Sequence, residues 1–449
     1  MRLRALLTVV ALFVVPLTVA DGAEAAARTV DADTVIVKYR AGVSAGERAR
    51  LFRRTGVRRT LGSVRGTGAK VVRVKHSPRR VAKRLNRSAS VLYAEPNRIL
   101  RTQGTPDDAH FGDLYGLANS GQTGGRADAD IDAPEGWDAA GLSAFPTAGG
   151  VKVGIVDTGI DDTHPDLSGK TVSCAQSLYA AATVTEDSCD DDNEHGTHVA
   201  GTIAAKANNG IGVAGVAFDS DLIVCKALDA SGSGLTSDVA NCIDWVAARG
   251  AKVISISSGA DASTTLRNAV RNVWAGGGAG GSVVVAAAGN DGNSTVYYPA
   301  GFAEAISVAA TDADDGRAWF SNANPDVEVA APGVEILSAV PGGGYASFSG
   351  TSMATPHAAG IAAVLWRLNP GKTASGIRAL LGSSADDIGV IGRDRSFGLG
   401  RVNLCRAAGG SCTYTGGGLI PTAPQSPGAH RRRPWPAVPN TTRNDQGRG

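Results

Sequence analysis

The chain predicts an α/β fold, a doubly wound parallel sheet preceded by a small α+β domain. Three observations carry that prediction. From about Thr105, apolar runs of strand length alternate with helix-length amphipathic stretches, the pattern of strand-helix-strand units. The runs are apolar throughout rather than alternating, as strands covered on both faces are. Before Thr105 the pattern is different: two short β-branched segments with period-two alternation flank helical stretches, as in a small mixed domain.

In chain order, Arg2 and Arg4 precede an apolar run from Ala5 to about Ala20 and then ADGAEAAA. A basic start, an apolar middle and a small-residue end make a secretory signal. The run contains Pro16 and is shorter than the roughly 18 residues of a membrane span. Residues 1–27 are therefore read as a signal peptide, cut near Ala25 or Ala27, with Ala20 the alternative. No cysteine follows to carry a lipid anchor, and no later segment is long and apolar enough to cross a bilayer. The expectation is a secreted protein without a membrane span.

Residues 28–104 form the second unit. TVIVKYR and KVVRVK read as strands. Between them, SAGERARLFRRTG offers Ser44 as helix N-cap, Glu47 three residues later and Gly56 as a stop. A second helical stretch, SPRRVAKRLNRS, leads into VLYAEPNRILR. The third unit, residues 105–412, carries VKVGIVD, DLIVCKAL, AKVISIS, SVVVAAAGN and AISVAAT as strands. GTHVAGTIAAKA, TSDVANCIDWVAARG, STTLRNAVRNVWAGG and TSMATPHAAGIAAVLWRL are its helices. Residues 413–449, rich in Pro, Gly and Arg, cannot bury enough surface to offset their ordering entropy and read as a disordered tail.

The net charge of +2 hides an opposition between units. Arg28–Arg101 carries 20 Lys/Arg against 4 Asp/Glu, and Thr105–Cys412 carries 17 against 35. Complementary fields on consecutive segments point to mutual docking. Nucleic acid is the other reading of a basic segment, but no aromatic-interleaved basic motif supports it. Six cysteines in an exported chain read as disulfides, with fifteen possible pairings. Neighbour pairing is the simplest: Cys174–Cys189, Cys225–Cys242 and Cys405–Cys412. The first two would each contribute roughly 3 kcal/mol in the chain-entropy model.

Three separated motifs carry the chemistry: Asp157 in VGIVDTGID, His195 in EHGTHVAGT and Ser352 in SGTSMATPH. A serine hydroxyl is a poor nucleophile until a base takes its proton, and the base needs a carboxylate to fix its tautomer. Asp157 and Asn290 fall at strand ends while His195 and Ser352 open helices, so all four can meet on one edge of a parallel sheet. Zinc on His195 and His198 is disfavoured. The zinc-protease pattern spaces two His four apart with the Glu between them, whereas here Glu194 lies outside and glycine interrupts.

The order Asp, His, Ser with these flanking residues resembles the subtilisin-like serine endopeptidases, over roughly residues 105 to 404. The resemblance implies Asp157, His195 and Ser352 as catalytic triad, His198 as structural, and Asn290 as oxyanion donor beside the Ser352 N–H. It implies that Ser257, Ser258 and Gly259 form one wall for the substrate backbone, and Ala287, Ala288 and Gly289 the other. Ala260 departs from the family's second glycine and would narrow the cleft upstream of the scissile bond. Tyr297 falls near the base of the primary pocket, favouring aromatic or aliphatic side chains, and Asp291 near its rim, adding tolerance for Lys or Arg.

The ending YAEPN resembles an inhibitory pro-domain, implying that residues 28–104 dock in the cleft, assist folding and are released by a cut between Arg101 and Thr105. The family also implies a structural calcium ion held by Asp166 and Asn209 with the carbonyls of Ala207, Ile211 and Val213, although the loop is one residue longer than the pattern. Its partners would be protein or peptide substrates and its own pro-domain, in a monomer. Two rivals share the fold: an inactive surface-binding relative, which would lack a triad or oxyanion residue, and a processing protease with a single target. An α/β-hydrolase esterase would need Ser before Asp and His and a G-x-S-x-G elbow, and GTSMA is not one.

Overall fold

The computed structural model describes residues 30–98, 104–180, 183–275 and 281–412. The signal segment, most of the expected cleavage stretch and the C-terminal tail lie outside the described residues. The N-terminal unit is a four-stranded antiparallel sheet in the order β2-β3-β1-β4, from β1 (Val30–Tyr39), β2 (Val57–Ser63), β3 (Lys70–Val74) and β4 (Val91–Arg98). Helices α1 (Ala45–Thr55) and α2 (Pro78–Leu85) accompany it. Ser44 caps α1 by accepting the Glu47 N–H, and Gly56 ends it at φ 89°, in the left-handed region where a Cβ is costly. Its core is small and valine-rich: Val35, Val37, Val72, Val74, Val81 and Leu85 are buried together.

The larger unit is built on an eight-stranded sheet in the order β12-β11-β10-β9-β5-β8-β6-β7. Its strands are β5 (Val153–Asp157), β6 (Thr171–Gln176), β7 (Thr185–Glu186), β8 (Leu222–Lys226), β9 (Val253–Ile256), β10 (Val283–Ala287), β11 (Ala305–Thr311) and β12 (Val327–Pro332). Every pairing is parallel except β6 with the two-residue β7. A separate hairpin pairs β13 (Ile336–Val340) with β14 (Gly344–Phe348). β5, β8, β9 and β10 are buried at every position, which is why they read as continuous apolar runs.

The helices are α3 (Ala133–Ala140), α4 (His195–Ala204), α5 (Thr236–Ala248), α6 (Thr264–Ala275), α7 (Thr351–Leu368), α8 (Ala374–Ser383) and the short α9 (Leu404–Ala407). α7 is buried from Met353 to Trp366 and passes through the main core, as a helix apolar on all sides must. Gly360 makes this possible: a Cβ there would lie 2.5 Å from Val216 Cβ.

The strand order places the site. After β5 the chain visits β6 and β8 on one side, then crosses to β9 and continues outward on the other. β5 is therefore the switch strand, and its carboxyl end opens a crevice that no connection covers. Asp157 is the last residue of β5. Three disulfides form, Cys174–Cys189, Cys225–Cys242 and Cys405–Cys412, with Cα separations of 5.5, 5.5 and 6.1 Å. The second ties α5 to β8, across the sheet from α7.

Candidate active site

Asp157 is fully buried, and its Oδ1 lies 2.6 Å from His195 Nδ1 while also accepting the Thr158 N–H at 2.8 Å. With Nδ1 donating to the carboxylate, Nε2 carries the lone pair. Burial opposes protonation of His195, but the Asp157 charge and hydrogen bond, with the Asp191 charge behind them, outweigh it and hold the imidazole above its ordinary pKa. His198, one turn on, is a different kind of histidine. It is buried, donates to the Ile336 and Ala346 carbonyls and stacks on Phe348 at 4.4 Å. Burial pushes its pKa down to about 4, so it stays neutral. The two rings hold separate partners, the Asp157 carboxylate for His195 and the Ile336 and Ala346 carbonyls for His198.

Ser352 stands in the first turn of α7, where unpaired backbone N–H groups favour negative charge. Its hydroxyl donates to the Ser257 carbonyl at 2.9 Å, and the Ser257 hydroxyl donates back to the Ser352 carbonyl at 2.9 Å. The second bond has a cause in the sequence. In an α-helix the Ser352 carbonyl would accept from residue 356, but Pro356 has no N–H. Ser257 fills that vacancy and so fastens the end of β9 to the first turn of α7.

Asn290 follows β10. Its Oδ1 accepts from both the Thr351 N–H and the Thr351 hydroxyl at 2.8 Å. Those two donors fix the amide orientation, since a flipped Asn290 would set N–H against N–H. Nδ2 is thereby turned toward Gly350 and the cleft, 3.5 Å from where a Gly350 Cβ would stand. His195, Asn290 and Ser352 together separate two depressions of the same surface. One, of about 440 Å³, is lined by Ser257, Ser258, Gly259, Ala287 and Gly289. The other, of about 1280 Å³, is lined by Trp319, Phe320, Phe348 and Met353.

The first depression is bordered by five of the six residues expected as its walls, Ala288 excepted. Ala260 pairs in both directions with the Tyr298 main chain at 2.9 Å, which closes the edge strand just beyond Gly259. A Cβ on Gly259 would lie 3.0 Å from Tyr297 Cβ, and one on Gly289 only 2.5 Å from the Tyr297 ring. Tyr297 therefore occupies the space that the two glycines leave. The Asp291 carboxylate accepts its hydroxyl and raises the phenol pKa. Ala288, by contrast, is buried beneath the wall rather than facing the depression.

Asp166, Asn209 and Val213 are brought together. Asp166 is fully buried; Oδ1 accepts from Asn209 Nδ2 at 2.8 Å, and Oδ2 accepts from the Val213 N–H at 2.9 Å and the Tyr345 hydroxyl at 3.0 Å. A second buried carboxylate, missed in the sequence, faces the same loop: Asp108 accepts the Asn208 N–H at 2.7 Å. Burial raises the Asp108 pKa, and the Asp166 charge adds to it. No arginine or lysine pairs with either carboxylate among the described residues. Two buried carboxylates without a paired cation fit a hard divalent cation in charge, but their oxygens are met by N–H and O–H donors, and ligation needs the Asn209 amide to turn its oxygen inward.

Comparison with known proteins agrees with this architecture. The model described as Subtilase family matches residues 148–400, and that described as Fervidolysin N-terminal prodomain matches residues 22–97. Thermophilic serine proteinase of Bacillus sp. (strain AK1) is 39% identical over 83% of this chain and 86% of its own length. Thermitase of Thermoactinomyces vulgaris is 43% identical over 68% of this chain and 99% of its own. Among solved structures, one of proteases from Pseudoalteromonas arctica PAMC 21717 aligns with a TM-score of 0.58 at 30% identity, over 68% of this chain and 99% of that one.

Proposed function

The chain belongs to the subtilase family and is a serine endopeptidase with a prodomain, and from that premise we propose how its own residues perform the reaction. The observation that carries the assignment is the convergence on one cleft of the Asp157–His195 pair, Ser352 in the first turn of α7 and the orientation-locked Asn290 amide. The Ser352 hydroxyl turns from the Ser257 carbonyl to His195 Nε2. His195 takes the proton as Oγ attacks the peptide carbonyl, and Asp157 stabilises the imidazolium. Asn290 Nδ2 and the Ser352 N–H donate to the oxyanion. As the tetrahedral adduct collapses, the C–N bond breaks, the imidazolium gives its proton to the leaving amine, and an acyl-enzyme remains. Water, deprotonated by His195, then attacks that ester; as the second adduct collapses the C–Oγ bond breaks, the carboxylic acid product leaves, and the imidazolium returns the proton to Ser352 Oγ.

The Ser258–Gly259 edge is the place for the substrate main chain, with Tyr297 and Asp291 at the primary pocket. The protein is made with a signal peptide (residues 1–27), secreted, and held inactive by residues 28–104 until the catalytic unit, residues 105–412, cuts between Arg101 and Thr105. It acts as a monomer. Incubating purified precursor beside its Ser352→Ala variant and weighing both intact tests this. Only the wild type is expected to lose a segment ending at Arg101 to Gly104. If both lose it equally, processing does not depend on Ser352.

Calcium is read as structural, held by Asp166 with Asn209 and the 207–213 loop, and with Asp108 opposite. It would neutralise the two carboxylates and pin that loop to the segment around Asp108. The expected result of adding EDTA is a lower melting temperature with chemistry preserved in the cold; an unchanged melting temperature removes the ion from the account.

A further inference from the structure

We propose that Asp191 is a positioning residue of the acid–base half of the site: it fastens the first turn of α4 to the turn after β5, and so sets the geometry and basicity of His195. This rests on the catalytic reading above and adds a residue to it. The helix start shows the need. α4 begins at His195, and Glu194 before it is in the left-handed region at φ 92° with no side-chain cap. The N–H groups of the first turn therefore require partners from elsewhere.

Asp191, four residues upstream of His195, supplies one directly and orders the groups that supply the others, Asn193 for the His195 N–H and Thr158 for the Gly196 N–H. Its Oδ2 accepts the Thr197 N–H at 2.8 Å and the Thr197 hydroxyl at 2.6 Å. Its Oδ1 accepts the N–H groups of Asn193 and Glu194 at 3.0 and 3.1 Å, and the Thr158 hydroxyl at 2.8 Å. Thr158 Oγ1 in turn accepts the Gly196 N–H at 2.8 Å. A closed ring results. Asp157 is bonded to Thr158 through the chain, Thr158 to Asp191 and Gly196 through its hydroxyl, and Gly196 adjoins His195.

Two glycines allow the ring to close. A Cβ on Gly196 would stand 2.2 Å from the Gly159 carbonyl oxygen, and one on Gly159 would stand 2.4 Å from the Cys189 carbonyl oxygen. The backbones of the two catalytic turns are therefore in direct contact, and a shift in one moves the other.

The charge matters as well as the bonds. Burial alone would raise the Asp191 pKa, but its hydrogen bonds with Thr197, Thr158 and Asn193 outweigh that and lower it, so it stays ionised. The groups facing the imidazole are Asp157 from β5, Asp191 from the loop before α4 and the neutral His198 within α4. Lys226, from β8, is engaged by Asp192 and the Thr158 carbonyl. Asp191 is thus a second fixed negative charge behind the ring, favouring the imidazolium that the transition state needs.

The test is kcat and KM on one chromogenic peptide amide, from acid to neutral pH, for wild type, Asp191→Asn and Ser352→Ala. Asp191→Asn is expected to lower kcat by about ten- to a hundred-fold, the scale on which supporting partners of metal-ligating histidines act. KM should hold, and the acid limb of kcat/KM should move to lower pH, because loss of the negative charge makes the imidazolium harder to form. A merely structural carboxylate would not move that limb. Should Asp191→Asn fail to fold, Thr158→Val, which removes the bridging hydroxyl, takes its place: a lower kcat at constant KM supports the ring and an unchanged kcat overturns it. Activity that depends on Ser352 but whose acid limb ignores Asp191→Asn overturns this proposal alone. Full activity of Ser352→Ala overturns the catalytic reading and this proposal with it.

Discussion

The two halves of the cleft are built by opposite means. On the β5–α4 side, Asp157, Thr158, Asp191, Gly196 and Thr197 form a closed hydrogen-bonded ring with backbone in contact beneath it. On the β9–α7 side, Ser352 is held by a hydroxyl–carbonyl bond to Ser257 that the proposed mechanism requires it to leave. Proton transfer tolerates little error in position, since its efficiency depends on fixed distance and tautomer. A nucleophile has to travel. The contrast suggests that substitutions in the first half act on chemistry through geometry and charge, and those in the second half through release and support of Ser352.

Asp157→Asn should break the comparison hardest. The Asn amide would offer N–H to Nδ1 or a weaker acceptor, favouring the wrong tautomer with the backbone in place. The expected loss in kcat is about 10⁴-fold with KM nearly unchanged, the size known for the same exchange in a trypsin-type triad. Steady-state kinetics at neutral pH measures it. A loss under about ten-fold would mean that His195 does not depend on Asp157, and that the ring positions nothing.

How much of this was legible in the sequence follows the same division. The motifs around Asp157, His195 and Ser352 mark the groups proposed to react, and strand-helix alternation marks α7 from Thr351 to Leu368. The supports were not read. Asp191 stands in CDDDNEHG, where acidic residues before a helix look like ordinary turn formers. The usable signal was an N-cap residue type upstream of a helix whose own Glu194 cannot cap it. Asp108 sits a hundred residues before its partner loop, beyond the reach of any local pattern. β2 was missed for a different reason: only Val57 of its seven residues is buried, so no alternation marks it. The hairpin of β13 and β14 was missed too, and it supplies the carbonyls of Ile336 and Ala346 that hold His198.

The smaller test concerns the nucleophile half. Pro356 removes the N–H that would satisfy the Ser352 carbonyl, and the Ser257 hydroxyl replaces it. Ser257→Ala would leave that carbonyl without its partner, a cost of about 1–3 kcal/mol. The expected kinetic effect is only a few-fold in kcat, because the Ser257 carbonyl that receives the Ser352 hydroxyl is main chain and remains. Pro356→Ala restores a helical N–H beneath Ser352, so the cost of Ser257→Ala should shrink in that background. Denaturant unfolding of the four proteins of this cycle, on chains inactivated by Ser352→Ala to prevent self-digestion, gives the coupling directly. Additive effects, within about 0.5 kcal/mol, would show that Ser257 and Pro356 act independently and that the first turn of α7 is held from elsewhere.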